Sequence, residues 1–131
     1  MGKALLDANV LVGIVRDKDA LHEKAVDLVE RLKGEYEFWA LNLVIQEVAT
    51  VVSMRDGMGA AKIFYRGYKN MVDVEISLDE ELENLSWKVF VGQEKKGTSF
   101  VDCANLAVIE RYKLDGILTF DEFYPKDLRL G

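Results

Sequence analysis

The sequence predicts an α/β fold with a mostly parallel sheet, and three observations support this. Short apolar segments that fit strands alternate with longer segments whose apolar residues recur at helical spacing. Two of the predicted strands run directly into an aspartate, and ligands of open parallel sheets bind beyond the carboxyl ends of the strands. The 131 residues include one proline and no linker-like stretch, so we expect a single domain over residues 1–131.

In the first half of the chain, each element follows from its own pattern. Short apolar runs predict strands, and apolar residues three and four apart predict helices. Gly34 and the pair Asp56-Gly57 are typical helix ends. In chain order these are a strand at 3–6, an apolar segment at 9–15 that fits a strand or a helix, a helix at 19–33, a strand at 37–41 and a helix at 43–55.

The second half repeats the alternation. The longest helical pattern opens with acidic residues and closes with Lys95, Lys96 and Gly97, the polarity that the helix dipole favours. The segment Gly116 to Phe120 predicts a strand that runs into Asp121. In chain order these elements are a helix at 59–71, a strand at 72–76, helices at 78–96 and 99–112, a strand at 116–120 and a last short strand near 128–130.

Composition limits the class of protein. Half of the residues are hydrophobic and 31% are charged, which is typical of a soluble globular chain. No apolar run approaches the roughly 20 residues of a membrane-spanning helix, and no signal peptide is visible. Cys103 is the only cysteine and has no internal disulfide partner, which favours a reducing, cytoplasmic location. We interpret Cys103 and His22 as packing residues, because no spaced Cys/His set indicates zinc.

The net charge of −6 argues against sequence-independent coating of DNA. It does not exclude a nuclease, because carboxylates that hold a metal ion are counted as negative until the metal binds.

Four acidic residues stand where solvated surface acids are not expected, although each also has a structural explanation. Asp7 follows a buried strand and fits a helix N-cap, and Glu47 lies close to the apolar face of its helix. Asp102 stands three residues after Ser99, which is the spacing of a capping box. Asp121 follows the strand at 116–120 and fits an Asx turn. A capping carboxylate can also point beyond the helix end toward a metal, so the two roles are compatible.

Metal-assisted phosphodiester hydrolysis is the chemistry that uses such a set. Mg²⁺ takes oxygen ligands and keeps several waters, so a few carboxylates suffice. The bound ion activates the attacking water and stabilises charge on the phosphate, so no Ser, His or Cys nucleophile is needed. An aspartate-nucleophile phosphatase is a poorer explanation, because it needs a second aspartate two positions after the first, where this chain has Asn9.

The same residues resemble the PIN domain family, and within it the VapC-type toxins of toxin–antitoxin pairs. The resemblance covers nearly the whole chain, with four acids in the family's order. It rests on LLDAN at 5–9, IQEV at 45–48, SFVDCA at 99–104 and TFDEF at 119–123.

The resemblance implies a three-layer α/β/α sandwich with about five parallel strands. It implies an endoribonuclease that uses Mg²⁺ or Mn²⁺, forms homodimers and is inhibited by a small antitoxin. By position, Asp7 and Asp102 resemble metal ligands, Glu47 a ligand or a water-orienting base, and Asp121 a second-metal or outer ligand. The polar residues that match supporting positions around the pocket are Asn9, Ser99 and Thr119.

A basic stripe is a candidate for contact with RNA. Lys62, Arg66 and Lys69 fall at helical spacing, and Arg55 precedes that helix. Tyr65 and Tyr68 lie nearby and are candidates for stacking on unpaired bases; a solvated amphipathic helix is the structural alternative. The alternative for the whole protein is a non-catalytic PIN-like RNA-binding or scaffold subunit, for which the loss of one of the four acids would have argued.

Overall fold

The computed structural model describes residues 1–131 and contains four strands and six helices. Short 3₁₀ turns at Tyr68–Asn70 and Lys126–Leu128 complete the regular structure. In chain order the elements are β1 (Gly2–Leu6), α1 (Ala8–Val15), α2 (His22–Leu32), β2 (Tyr36–Leu41), α3 (Asn42–Asp56), α4 (Met58–Gly67), β3 (Val74–Ile76), α5 (Glu80–Val91), α6 (Phe100–Tyr112) and β4 (Gly116–Leu118).

The four strands form one parallel sheet in the order β3-β2-β1-β4. Right-handed crossovers in this order place α1–α4 on one face and α5–α6 on the other. Neighbouring residues of β2 show the two faces, since Phe38 lines a cavity with Ile14 of α1 while the Trp39 ring lies 5.5 Å from that of Tyr112 in α6. The predicted α/β class with a sandwich of helices around a parallel sheet is confirmed.

The sheet has four strands rather than the five expected. Residues 126–128 form a 3₁₀ turn, and only one parallel bridge, between Ile117 and Arg129, lies where the strand near 128–130 was predicted. The N–H of Leu130 also donates to the Ile117 carbonyl at 2.9 Å. The C-terminal segment passes so close to β4 that a Cβ on Gly116 would collide with the carbonyl oxygen of Leu128. This segment therefore runs beside β4 but forms only one bridge to it, after the 3₁₀ turn that precedes it.

Several helix ends differ from the prediction. The helix expected at 78–96 is α5 and ends at Val91, because the chain turns at Gly92 and places Lys95 and Lys96 outside the helix. The helix expected at 59–71 ends at Gly67 and tightens into the 3₁₀ turn. The ambiguous segment at 9–15 belongs to helix α1.

The central strand β1 carries the sheet's most deeply buried segment. Ala4, Leu5 and Leu6 are each at most 1% exposed and belong to a hydrophobic cluster of 29 buried residues. Because this strand is rigidly packed on both faces, the residue that follows it, Asp7, is held in a fixed place at the carboxyl edge of the sheet. None of the helices has both the length and the apolar character needed to cross a membrane.

Candidate metal centre

Asp7 and Thr119 leave the sheet side by side. Leu6 of β1 pairs with Leu118 of β4, and the Asp7 N–H donates to the Leu118 carbonyl at 3.0 Å. Parallel pairing therefore places the next residue of each strand together, and the Thr119 hydroxyl donates to Asp7 Oδ2 at 2.7 Å. Asp7 Oδ1 accepts from the Ala8 N–H at 2.8 Å, so the residue is also the predicted N-cap of α1.

The environment of Asp7 disfavours its charge. The residue is 5% exposed, and burial raises the pKa of its carboxyl from 3.8 to about 6. The hydrogen bond from Thr119 opposes this rise, whereas the negative charges of Asp102 and Asp121 add to it. Such a carboxyl is a candidate for a functional group, since it is costly to fold unless a cation compensates it.

Asp102 lies in the first turn of α6, where Ser99 positions it. The Ser99 hydroxyl accepts from the N–H groups of Val101 and Asp102 at 3.1 and 3.4 Å, which confirms the helix start expected from the capping-box spacing. Asp102 is half-buried, and burial raises the pKa of its carboxyl, with a further contribution from the charge of Asp121. A hydrogen bond from the Tyr124 hydroxyl at 2.9 Å acts in the opposite direction.

Asp121 is held by two short-range hydrogen bonds. Its N–H donates to Thr119 Oγ1 at 2.9 Å, and its Oδ1 accepts from the Phe123 N–H at 2.9 Å, which is the predicted Asx turn. The side chain is half-buried, and its charge raises the pKa of both Asp7 and Asp102. The turn therefore fixes the Asp121 side chain within the segment that follows β4.

Glu47 is at the rim of the group. It lies on α3 and is exposed as a residue, but loss of hydration around its carboxyl is the main cause that raises its pKa, followed by the charge of Asp102. Among the other three acids, only the charge of Asp102 raises the pKa of Glu47. Glu47 is therefore the most peripheral of the four.

The four predicted acids thus form one electrostatically connected group, although they come from four separate segments. Asp7, Asp102 and Asp121 interact with one another, and Glu47 interacts with Asp102. No three His, Cys, Asp or Glu side chains converge at the spacing of a closed coordination shell. The largest cavity, of about 540 Å³, lies elsewhere among Leu6, Ile14, Val29, Phe38 and their neighbours and contains none of the four acids.

This geometry fits a hydrated hard cation better than a fully protein-ligated one. Mg²⁺ is held in proteins by one or two carboxylates, with its remaining positions taken by water and substrate phosphate. Hydrogen bonds restrain both Asp7 and Asp102, and burial raises the pKa of each carboxyl, which a nearby cation would lower.

Of the supporting residues, Thr119 and Ser99 make the contacts described above. Asn9 Oδ1 accepts from the Phe120 N–H at 3.2 Å and so ties the segments after β1 and β4 together. Sequence reasoning missed two residues, Asn105 and Tyr124. Asn105 donates to the Tyr124 hydroxyl at 3.0 Å and approaches Asp7 Oδ1 at 3.5 Å. The available signal was an asparagine three residues after Asp102, among small apolar residues of α6.

The predicted basic stripe lies on the surface. Lys62, Arg66 and Lys69 are exposed and form no ion pair, and Tyr65 beside them is 74% exposed. The expectation for Tyr68 was wrong, because it is 7% exposed and its hydroxyl donates to Glu75 Oε1 at 2.6 Å, which leaves no face for a base. Arg55 lies in the last turn of α3, whereas Lys69 follows α4. The Arg55 guanidinium lies 4.0 Å from the carboxylate of Asp19.

Comparison with known proteins agrees with the fold. The structure is similar to that of VapC20 from Mycobacterium tuberculosis, described as a sarcin-ricin loop cleaving toxin, with a TM-score of 0.78 and 22% sequence identity over 92% of each chain. No curated protein matches the chain by sequence. Residues 4–126 match the PIN domain, a span that includes all four acids and the strands that position them. The chain belongs to the PIN domain family.

Proposed function

We propose that the protein is a divalent-metal-dependent endoribonuclease and the toxin of a toxin–antitoxin pair. The observation that carries this proposal is the meeting of Asp7, Asp102 and Asp121 at the carboxyl edge of the sheet, with Glu47 at their rim. Isolated acids on a surface do not raise one another's pKa, whereas these do. The description of VapC20 as a sarcin-ricin loop cleaving toxin supports RNA as the class of substrate.

The residues have different roles in this proposal. Asp7 and Asp102 hold Mg²⁺ or Mn²⁺, and Asp121 binds a second ion or a water of the first. The ion supplies an activated water and stabilises charge that develops on the scissile phosphate. Glu47 is the only exposed member, so its carboxylate is the one placed to orient the attacking water from the solvent side and to accept its proton.

The substrate is proposed to approach along the basic helix. Lys62, Arg66 and Lys69 form the positive surface that a phosphate backbone requires on a chain with a net charge of −6. Tyr65 is exposed enough to stack on an unpaired base. Arg55 is assigned a weaker contribution, because Asp19 offsets part of its charge.

We also propose a homodimer and a small antitoxin as partners. Exposed apolar side chains support association with another protein surface: Val91 is 75% and Trp87 48% exposed on α5, and Met54 is 80% exposed on α3. Light scattering of the purified chain tests for the homodimer. Co-purification with the product of an adjacent short reading frame tests for the antitoxin.

RNA cleavage with Mg²⁺ or Mn²⁺ tests the activity. We expect cleavage by the wild-type protein, its loss on chelation, and its loss in Asp7→Asn. Asp127→Asn is the matched control, because Asp127 is exposed and lies outside the acidic group. Cleavage that survives both chelator and the Asp7 substitution would refute the proposal. RNA binding without cleavage, and without a thermal shift on adding Mn²⁺, would instead indicate a scaffold or RNA-binding subunit.

A further inference from the structure

Two polar side chains outside the acidic group connect Asp7 to Asp102 through the interior. The Tyr124 hydroxyl donates to Asp102 Oδ1 at 2.9 Å and accepts from Asn105 Nδ2 at 3.0 Å. The same Nδ2 faces Asp7 Oδ1 at 3.5 Å. Asn105 is fully buried and Tyr124 is 1% exposed, so water does not compete for these bonds.

The direction of each bond follows from the chemistry of the partners. An ionised carboxylate only accepts hydrogen bonds, so the amide nitrogen and not the amide oxygen of Asn105 must face Asp7. For the same reason the Tyr124 hydroxyl donates to Asp102 Oδ1, and its oxygen accepts from the Asn105 amide N–H. Asp102 Oδ2 has no hydrogen-bond donor in the protein, which leaves that oxygen free for a cation.

Folding alone does not explain Asn105. Its amide oxygen is buried and has no hydrogen-bond donor. A buried acceptor without a partner destabilises the folded state, and an apolar side chain of the same size would avoid that cost. Asn105 thus leaves one polar atom unpaired in the core while its Nδ2 faces Asp7, which points to a role in the acidic group.

We propose that Asn105 and Tyr124 are positioning residues that hold the carboxylates of Asp7 and Asp102 at a fixed spacing and orientation before a divalent ion binds. This inference rests on the proposed function, since it assigns the two residues to the same metal centre. Asp102 is three residues before Asn105 on α6, so one helix face carries both the ligand and its support. The two carboxylates repel each other, and the neutral link between them restrains their separation.

Binding of Mn²⁺, measured by electron paramagnetic resonance of the free ion, tests this without reference to activity. Tyr124→Phe removes only the hydroxyl and should raise the dissociation constant for Mn²⁺ by about tenfold or more, the usual effect of losing a residue that orients a metal ligand. Tyr68→Phe is the matched control, because Tyr68 is also buried and also donates to a carboxylate, that of Glu75, which is outside the pocket. The dissociation constant of Tyr68→Phe for Mn²⁺ should equal that of the wild-type protein.

Asn105→Leu is the second variant, and it separates positioning from simple packing. It keeps the size of the side chain but removes the unpaired amide oxygen together with the amide N–H groups that face Tyr124 and Asp7, so Mn²⁺ binding should weaken even at temperatures where the metal-free variant is fully folded. This variant decides the test if Tyr124→Phe does not fold.

If the wild-type protein binds Mn²⁺ and both pocket variants bind it equally well, the positioning role is overturned and the proposed function stands. Equal weakening in Tyr68→Phe and Tyr124→Phe would also overturn it, since the effect would then follow stability. Failure of the wild-type protein to bind Mn²⁺ would overturn the metal centre itself, and the positioning role with it.

Discussion

The buried carboxyl of Asp7 should make the stability of the metal-free protein depend on pH. Its pKa is 3.8 when it is free in an unfolded chain and about 6 in the folded protein, chiefly because of burial. A raised folded-state pKa means that the folded state binds the proton more tightly. This contribution to stability is therefore fully present below pH 3.8 and is lost as the pH rises through about 6.

The size of the effect follows from the same two values. One pKa unit corresponds to about 1.4 kcal/mol, so a rise from 3.8 to about 6 corresponds to about 3 kcal/mol of lost stability at pH 7.5. Asp7→Asn removes the charge and keeps the size of the side chain; its amide oxygen can still accept from the Ala8 N–H, whereas the bond with the Thr119 hydroxyl must reverse its direction. We expect the stability of the variant, relative to that of the wild-type protein, to rise by about 3 kcal/mol between pH 4 and pH 7.5.

Urea denaturation in EDTA between pH 4 and 8 measures this difference. For a chain of 131 residues, about 3 kcal/mol corresponds to a rise of roughly 10 °C in the thermal midpoint. Asp127→Asn serves as the control and should follow the wild-type curve at every pH. A difference in stability between Asp7→Asn and the wild-type protein that is the same at pH 4 and pH 7.5 would show that Asp7 does not carry the raised pKa. Excess Mn²⁺ should shift this difference in favour of the wild-type protein, because only the wild-type protein gains from the ion.

The remaining predictions concern the same pocket. Mn²⁺ at about 100 times its dissociation constant should stabilise the wild-type protein by about 2.7 kcal/mol, and EDTA should reverse the shift in its thermal midpoint. Thr119→Val removes the hydroxyl that donates to Asp7, and should cost about 1.5–3 kcal/mol in urea denaturation at pH 7.5 but less at pH 4, where Asp7 is neutral. Ser99→Ala should cost about 1 kcal/mol and weaken Mn²⁺ binding in calorimetric titration, because Ser99 caps the turn that carries Asp102. Asp79→Ala, which removes the cap of α5, should lower stability and leave Mn²⁺ binding unchanged.

The site residues that the sequence pattern indicated are those whose placement depends on local structure. Asp7 and Asp121 follow short strands, and Ser99 and Asp102 open a helix at a recognisable spacing. Parallel pairing of β1 with β4 and the start of α6 then bring these segments together. Because position along the chain and position in the sheet are linked in this way, Asp7 and Asp121 could be assigned to one edge of the sheet before the fold was known.

Asn105 and Tyr124 could not be found in this manner. Their hydrogen bond joins residues 19 apart and depends on how the loop after β4 folds onto α6, which no local pattern encodes. Tyr68 is a different case, because the signal was present. It lies four residues after Phe64, and the two buried rings stack with centroids 5.6 Å apart. The helical phase of the buried residues therefore places Tyr68 in the core and Tyr65 on the surface.

Two element predictions in the second half of the chain were wrong, the end of the helix at 78–96 and the strand near 128–130. The pattern that predicted a helix to Lys96 relied on basic residues near its end, but α5 ends at Val91 with Gly92 as its C-cap. Similarly, residues 128–130 are apolar or basic and fit a strand, but the 3₁₀ turn before them leaves one bridge to β4. Where two local signals compete, tertiary packing decides between them.

The burial of the four acids is graded, and the gradient has a consequence for metal binding. Asp7 is buried, Asp102 and Asp121 are half-buried, and Glu47 is exposed. On the proposed function, Asp7 would hold the ion from the buried side and Glu47 would face it from the solvent side. Asp7 is the most buried of the four, and its pKa is raised to about 6. A bound cation would therefore stabilise the charged form of this carboxyl. The fold thus places its least favourable charge where the ion relieves it, and the metal-free protein should be the less stable form at neutral pH.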